Sequence, residues 1–165
     1  QIMNIVLCGM MGSGKTTVAR VLENIYGFSV VDTDEIIVRR HGEINAIFRD
    51  LGEQAFRDIE SQTVKEVSAL DWYVISLGGG VVLRRSNVEE LKKNGKIFYL
   101  RTRAETVIAR VKGDSSRPLL QGNLEERVHA ILKDRSKVYE EAADVVIDTD
   151  DKSPEEIADI IVAQS

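Results

Sequence analysis

Short, wholly apolar runs alternate along the chain with longer stretches in which apolar residues recur every three or four positions. Ile5-Val6-Leu7-Cys8 contains no polar member and predicts a strand buried on both faces, running straight into a glycine-rich segment. From Lys15 to about Tyr26, the residues Val18, Ala19, Val21, Leu22 and Ile25 fall at helical spacing, and Gly27 predicts the stop. Phe28-Ser29-Val30-Val31 predicts a second short strand, closed by Asp32-Thr33-Asp34. Residues 35–70 read as helix in pieces, with breaks near Gly42 and Gly52. Tyr73-Val74-Ile75-Ser76-Leu77 predicts a third strand that ends at Gly78-Gly79-Gly80. A helix over about 86–94 follows, with Ser86 as its N-cap and Gly95 as its stop signal. Ile97-Phe98-Tyr99-Leu100 predicts a fourth strand, Glu105 to Val111 a short helix, and Leu124 to Ala142 a long one. Val145-Val146-Ile147 predicts the last strand, and Pro154 suits the first turn of a closing helix. Residues 112–123 hold two glycines and a proline without periodicity, and read as a mobile loop.

Five apolar strands separated by helices predict a parallel sheet covered on both faces, hence one α/β domain over residues 1–165. Composition leaves this picture intact: 43% hydrophobic and 30% charged residues are ordinary for a globular chain of 165 residues. No apolar run approaches the roughly 18 residues of a membrane span, and no secretory signal precedes the first apolar stretch, so no membrane role is expected. The net charge of −5 argues against a broad nucleic-acid-binding surface, while a local cluster of Arg and Lys can still hold an anionic ligand. Cys8 is the single cysteine, which excludes an internal disulfide and a cysteine-rich zinc site and fits a cytoplasmic location.

The strongest chemical signal is Gly9-Met10-Met11-Gly12-Ser13-Gly14-Lys15-Thr16, lying between a predicted strand and a predicted helix. Glycines let backbone N–H groups converge on phosphate oxygens, and the helix N-terminus adds positive potential. Lys15 supplies a point charge for the β- and γ-phosphates, and the Thr16 hydroxyl suits Mg²⁺. A dinucleotide fingerprint would need a third glycine where Thr17 stands. A GTPase is disfavoured because the chain has no Asn-Lys-x-Asp stretch to read guanine. The loop therefore predicts ATP, but does not name the acceptor.

Ligands of open α/β sheets sit beyond the carboxyl ends of the strands, where Asp32-Thr33-Asp34 and Gly78-Gly79-Gly80 should join the loop. One carboxylate there can hold Mg²⁺ and a second can orient and deprotonate a hydroxyl; each can equally be a helix N-cap. The glycine triplet either lets an acceptor approach backbone N–H donors or forms a plain turn. Arg57 and Arg135 lie on predicted helices, and two planar guanidinium forks would match an acidic acceptor if they converge.

Taken together, these motifs resemble the shikimate kinase family over nearly the whole chain. The resemblance rests on the phosphate loop, Asp32-Thr33-Asp34, Ile47-Phe48 with Gly52-Glu53, Phe56-Arg57-x-x-Glu60, the glycine triplet, Arg117-Pro118-Leu119-Leu120 and Arg135-x-x-x-Tyr139. It implies a three-layer P-loop NTPase fold, with a five-stranded parallel sheet in the order 2-3-1-4-5. It also implies a substrate-binding helical region over about 33–61 and a mobile lid over about 112–123. The implied reaction moves the γ-phosphate of ATP to the 3-hydroxyl of shikimate, with Mg²⁺ as cofactor. Asp34 would then be the base and contact the acceptor hydroxyls, while Arg57, Gly79 and Arg135 would bind the acceptor. Lys15 and Arg117 would complete the catalytic set. Gly12, Ser13, Gly14, Lys15, Thr16, Thr17, Arg110, Arg117 and Lys152 would contact ATP, with Arg110 stacked on adenine. Thr16 would bind Mg²⁺ directly and Asp32 through water. A monomer is the family's implied state. Asp150-Asp151 is more acidic than an adenine pocket invites, so the sequence places Lys152 less firmly than the rest.

Other chemistry-bearing residues read as structure. Cys8 is a small core residue, His41 and His129 sit on surfaces, and Trp72 and Tyr73 anchor a strand. The competing functions are a gluconate-type kinase, an adenylate kinase, and a nucleotide-binding regulatory module without transfer chemistry. The glycine triplet with Arg57 and Arg135 disfavours the first, and Lys15, Asp34 and Arg117 disfavour the last.

Overall fold

The computed structural model describes residues 3–112 and 123–165. The chain runs β1 Asn4–Cys8, α1 Lys15–Tyr26, β2 Ser29–Asp32, α2 Thr33–His41, α3 Ile44–Leu51, α4 Glu53–Ser68 and β3 Tyr73–Ser76. After a single 3-10 turn, Val81–Leu83, it continues with α5 Arg85–Lys92, β4 Gly95–Arg101, α6 Ala104–Val111, α7 Leu124–Ala142, β5 Val145–Asp148 and α8 Pro154–Gln164. The strands form one parallel sheet in the order β2-β3-β1-β4-β5, as the resemblance implied. Period-two alternation divides the core: Ile5 and Leu7 of β1 pack with α1 and α8 on one face, while Val6 and Cys8 pack with α4, α5 and α7 on the other. Both faces of β1 are thus apolar from Ile5 to Cys8, which is why that run carries no polar residue. Among the described residues, no helix is long and apolar enough to cross a membrane.

The strand order reverses at β1, so the loops after β1, β2 and β3 open into one crevice at the carboxyl edge. The region expected to bind substrate comprises the short helices α2 and α3 and the first part of the longer α4, tied by a separate cluster of Ile37, Ile47 and Phe56. Gly42 and Gly52, both at positive φ, end α2 and α3 where the pattern predicts breaks. Two sequence expectations need correcting. Ser86 is not an N-cap, because α5 starts at Arg85 and its cap position is Arg84, with no side-chain cap bond. Gly95 does not stop that helix; it is the first residue of β4, paired with Asn4, and a Cβ there would stand 2.8 Å from the Leu91 carbonyl. Close packing against α5, rather than helix capping, explains this glycine. Trp72 stands in the turn before β3 at φ 64°, with its ring stacked on Phe28 at 4.8 Å.

Candidate active site

The loop after β1 is held in shape by its own backbone. Gly12 and Gly14 take φ of 78° and 96°, which a side chain resists, and the Ser13 N–H donates to the Met10 carbonyl at 3.1 Å. A Cβ on Gly9 would stand 2.9 Å from the Leu100 carbonyl, so this glycine lets the loop leave the sheet beside β4. Thr102, at the end of β4, donates to the Ser13 carbonyl at 3.3 Å and bonds Thr149 beyond β5 at 2.6 Å. The loop thereby rests on the ends of two neighbouring strands. Lys15 folds its ammonium back over the loop, donating to the carbonyls of Gly9 and Met10, and Arg110 donates to the Gly12 carbonyl at 2.8 Å. Both cations reach the concavity that the sequence assigns to phosphate.

One cleft of about 830 Å³ takes in this loop and the proposed acceptor residues together. Its lining includes Gly12 to Thr17, Asp32, Asp34, Arg57, Gly78 to Gly80, Arg110, Arg135 and Lys152. Every predicted site residue among the described ones therefore falls in a single cavity. Arg117 lies outside the described residues, as do the expected lid residues 113–122. Asp32 caps α2 by accepting the Glu35 N–H at 3.1 Å while still lining the cleft, so the two readings of this residue coexist. Asp34 stands in the first turn of α2 rather than beyond it, on the cleft side. Near β5, Asp150 turns away from the cleft: it accepts from the Arg103 N–H at 3.0 Å and the Thr106 hydroxyl at 2.5 Å. Lys152 lines the cleft, and its ammonium donates to the Asp148 carbonyl at 2.8 Å.

The glycine triplet is required by its neighbours rather than by its dihedrals, since none of the three has a positive φ. A Cβ on Gly78 would collide with the Asp34 carboxylate, and one on Gly80 with the Arg57 guanidinium. On Gly79 it would stand 3.2 Å from Nη1 of Arg135 and 3.5 Å from the Tyr139 hydroxyl. Each glycine thus makes room for one charged residue of the acceptor set. The triplet is a turn, closed by the Val81 N–H donating to the Gly78 carbonyl at 3.2 Å, and its bare backbone leaves room for Asp34, Arg57 and Arg135 to converge. Thr33, fully buried, accepts the Gly78 N–H at 2.9 Å and ties the triplet to α2.

Two residues of the quoted motifs have roles that their spacing alone did not assign. Glu60 is buried and accepts from Arg57 at 2.7 Å, with Glu53 at 3.6 Å on the outer side of the guanidinium. Burial pushes the Glu60 carboxyl above the ordinary range, the Arg57 hydrogen bond and charge opposing it. A sequence signal existed: Phe56, Glu60, Thr63, Val64 and Val67 share the buried face of α4, so an acid there needs a partner. Arg57 also lies over the Phe56 ring, 5.3 Å from its centroid. Tyr139 donates to the Gly79 carbonyl at 2.7 Å from behind the triplet. Arg127, one face of α7 with Ile131 and Arg135, lines the cleft as well and was not singled out.

Among the described residues no group of three His, Cys, Asp or Glu could cage a metal ion. The donor set present is one hydroxyl at the first turn of α1, Thr16, and the Asp32 carboxylate. Beside them, the buried Ser76 hydroxyl, paired in register with Asp32, has no hydrogen-bond partner. Few protein ligands and spare polar groups in a phosphate cleft fit Mg²⁺, which keeps its waters and binds chiefly through phosphate oxygens.

The family model described as shikimate kinase matches residues 11–165. The shikimate kinase of Thermodesulfovibrio yellowstonii is 45% identical over 98% of this chain and 94% of its own length. That of Persephonella marina is 40% identical over 98% of both chains. A solved structure of shikimate kinase from Acinetobacter baumannii in complex with shikimate superposes with a TM-score of 0.92 at 36% identity. It covers 99% of this chain and 93% of its own.

Proposed function

Because the chain belongs to the shikimate kinase family, whose members are ATP-dependent kinases acting on a hydroxyl of shikimate, we propose a full reaction for its cleft. The γ-phosphate of ATP passes to the 3-hydroxyl of shikimate, giving shikimate 3-phosphate and ADP within the chorismate route to aromatic amino acids. The observation that carries the residue assignments is the shared cleft, with Lys15 and the loop amides at one end and Asp34, Arg57 and Arg135 at the other. Arg57 and Arg135 take the acceptor carboxylate, with the Gly79 backbone beside them, and so fix which hydroxyl points at phosphorus. Asp34 aligns that hydroxyl and accepts its proton as the O–P bond forms. Lys15 leaves the Gly9 and Met10 carbonyls to neutralise charge on the transferring group, joined by Arg117. Arg110 and Lys152 flank the nucleotide, the first against adenine. Mg²⁺, when bound by Thr16 directly and Asp32 through water, supplies further neutralisation at the phosphate oxygens. Residues 112–123 act as a lid that excludes water from the reacting phosphoryl group. The working form in this reading is a cytoplasmic monomer.

An ADP-release assay with shikimate, gluconate, AMP or no acceptor, run with and without Mg²⁺, tests the reading. ADP release that requires shikimate and Mg²⁺ is the expected result. Release with gluconate or AMP alone would replace the acceptor, and release without any added acceptor would mean an ATPase.

A further inference from the structure

The backbone of the glycine triplet is almost fully accounted for, and the remainder points to one side chain. The Gly78 N–H donates to Thr33, the Gly78 carbonyl accepts from Val81 at 3.2 Å, and the Gly80 carbonyl accepts from Leu83 at 3.1 Å. The Gly79 carbonyl accepts from the Tyr139 hydroxyl at 2.7 Å. What is left, among the described residues, is the pair of N–H groups of Gly79 and Gly80. In a trans peptide the C=O and the following N–H point in opposite directions. Tyr139 stands behind the triplet, outside the cleft lining, while Gly79 and Gly80 line it. Drawing the Gly79 carbonyl back therefore turns the Gly80 N–H toward the cleft.

The Arg135 guanidinium lies near the same hydroxyl, one helical turn earlier on α7: a Cβ on Gly79 would stand 3.2 Å from its Nη1 and 3.5 Å from the Tyr139 oxygen. A hydroxyl can donate once and accept at the same time, so one oxygen sits between a substrate-facing arginine and a substrate-facing peptide. The ring itself is 1% exposed and packs against Tyr99 with centroids 5.0 Å apart, so the hydroxyl has little freedom to swing. We propose that Tyr139 is a positioning residue for acceptor recognition: its hydroxyl holds the Gly79–Gly80 peptide and the Arg135 fork in one fixed relation, so that both meet the acceptor's carboxylate end together. The proposal rests on the acceptor reading above and adds a residue that acts through Gly79 and Arg135 without touching the acceptor.

The test is Tyr139→Phe, which keeps the ring and removes only the oxygen. Leaving a buried carbonyl without its donor predicts a rise of roughly tenfold in the KM for shikimate. The KM for ATP should stay within about twofold, and kcat should fall far less than kcat/KM for shikimate. The readout that a merely structural role would not move is discrimination between shikimate and its methyl ester. Wild-type enzyme should strongly prefer the acid, and Y139F should lose much of that preference because Arg135 is no longer held. Tyr99→Phe, which removes the neighbouring hydroxyl of the ring pair, should leave both the shikimate KM and the preference unchanged. All assays are run below the thermal midpoint of Y139F, so lower stability does not mimic the effect. An unchanged shikimate KM with unchanged acid-over-ester preference in Y139F overturns the proposal. Equal losses toward ATP and shikimate overturn it too. Wild-type enzyme inactive on shikimate would instead sink the acceptor reading, a separate outcome.

Discussion

Asp34 and Glu60 are two carboxylates of one cluster with opposite surroundings. Asp34 faces the cleft from the first turn of α2, where the helix N-terminus favours negative charge. Asp34→Asn keeps the shape and removes the proton acceptor proposed above, so kcat should fall by about 100-fold or more while ATP affinity, read by equilibrium titration, holds. Glu60 lies buried behind Arg57, and burial raises its carboxyl pKa. Between the ordinary glutamate range and that raised value, the native state keeps a proton that the unfolded chain has released. The contribution of Glu60 to stability is thus full below the ordinary range, declines as pH rises through that window and levels off above it. Glu60→Gln has no such slope. Thermal melts stepped upward from about pH 4 should show the variant gaining on the wild type across the window. Parallel curves would mean that Glu60 titrates normally. Arg57 and Asp34 stood out in the sequence by residue type and motif. Glu60 and Tyr139 were present in the same motifs, yet their partners, a guanidinium three residues away and a carbonyl sixty residues away, become specific only in three dimensions.

Among the elements, those defined by local chemistry were the most legible. The helix α7 and the opening of α8 fall where the periodicity and Pro154 place them. Ser153 completes the α8 start: its hydroxyl accepts from Glu156 N–H at 3.1 Å, and the Glu156 carboxylate accepts from Ser153 N–H at 3.1 Å. Ser153→Ala should cost about 1 kcal/mol in denaturant unfolding, because it removes the cap of a helix whose packing partner is α1. The start of α5 was misread because Ser86 satisfied a local capping rule that the chain does not use. Its entry is instead held by Asn87, whose side chain donates to the Val81 carbonyl at 2.9 Å. Gly95 was misread for the same reason, since a stop signal and a close-packing position look identical in one dimension.

At the scale of the molecule, the apolar strands and the helices between them announced a covered parallel sheet. The strand order followed from the family resemblance and not from any single segment. Because the strand order reverses at β1, the residues proposed for nucleotide and for acceptor line one cleft instead of two separate pockets. Ligand binding should therefore stabilise the whole fold. Shikimate at 100 times its dissociation constant should add about 2.7 kcal/mol, read as a raised thermal midpoint. Arg57→Ala should lose that shift while keeping the one caused by ATP. Loss of both shifts would assign Arg57 to general structure.

The glycine triplet has a consequence for inhibitor design. Its surface toward the cleft is backbone, and side chains at Gly78 and Gly80 would displace Asp34 and Arg57. A compound anchored on those peptide groups touches atoms that mutation cannot exchange, and a bulkier residue at Gly78 or Gly80 would displace Asp34 or Arg57, the groups proposed to hold the acceptor. Escape at those two positions is therefore costly, which shifts resistance toward other parts of the cleft.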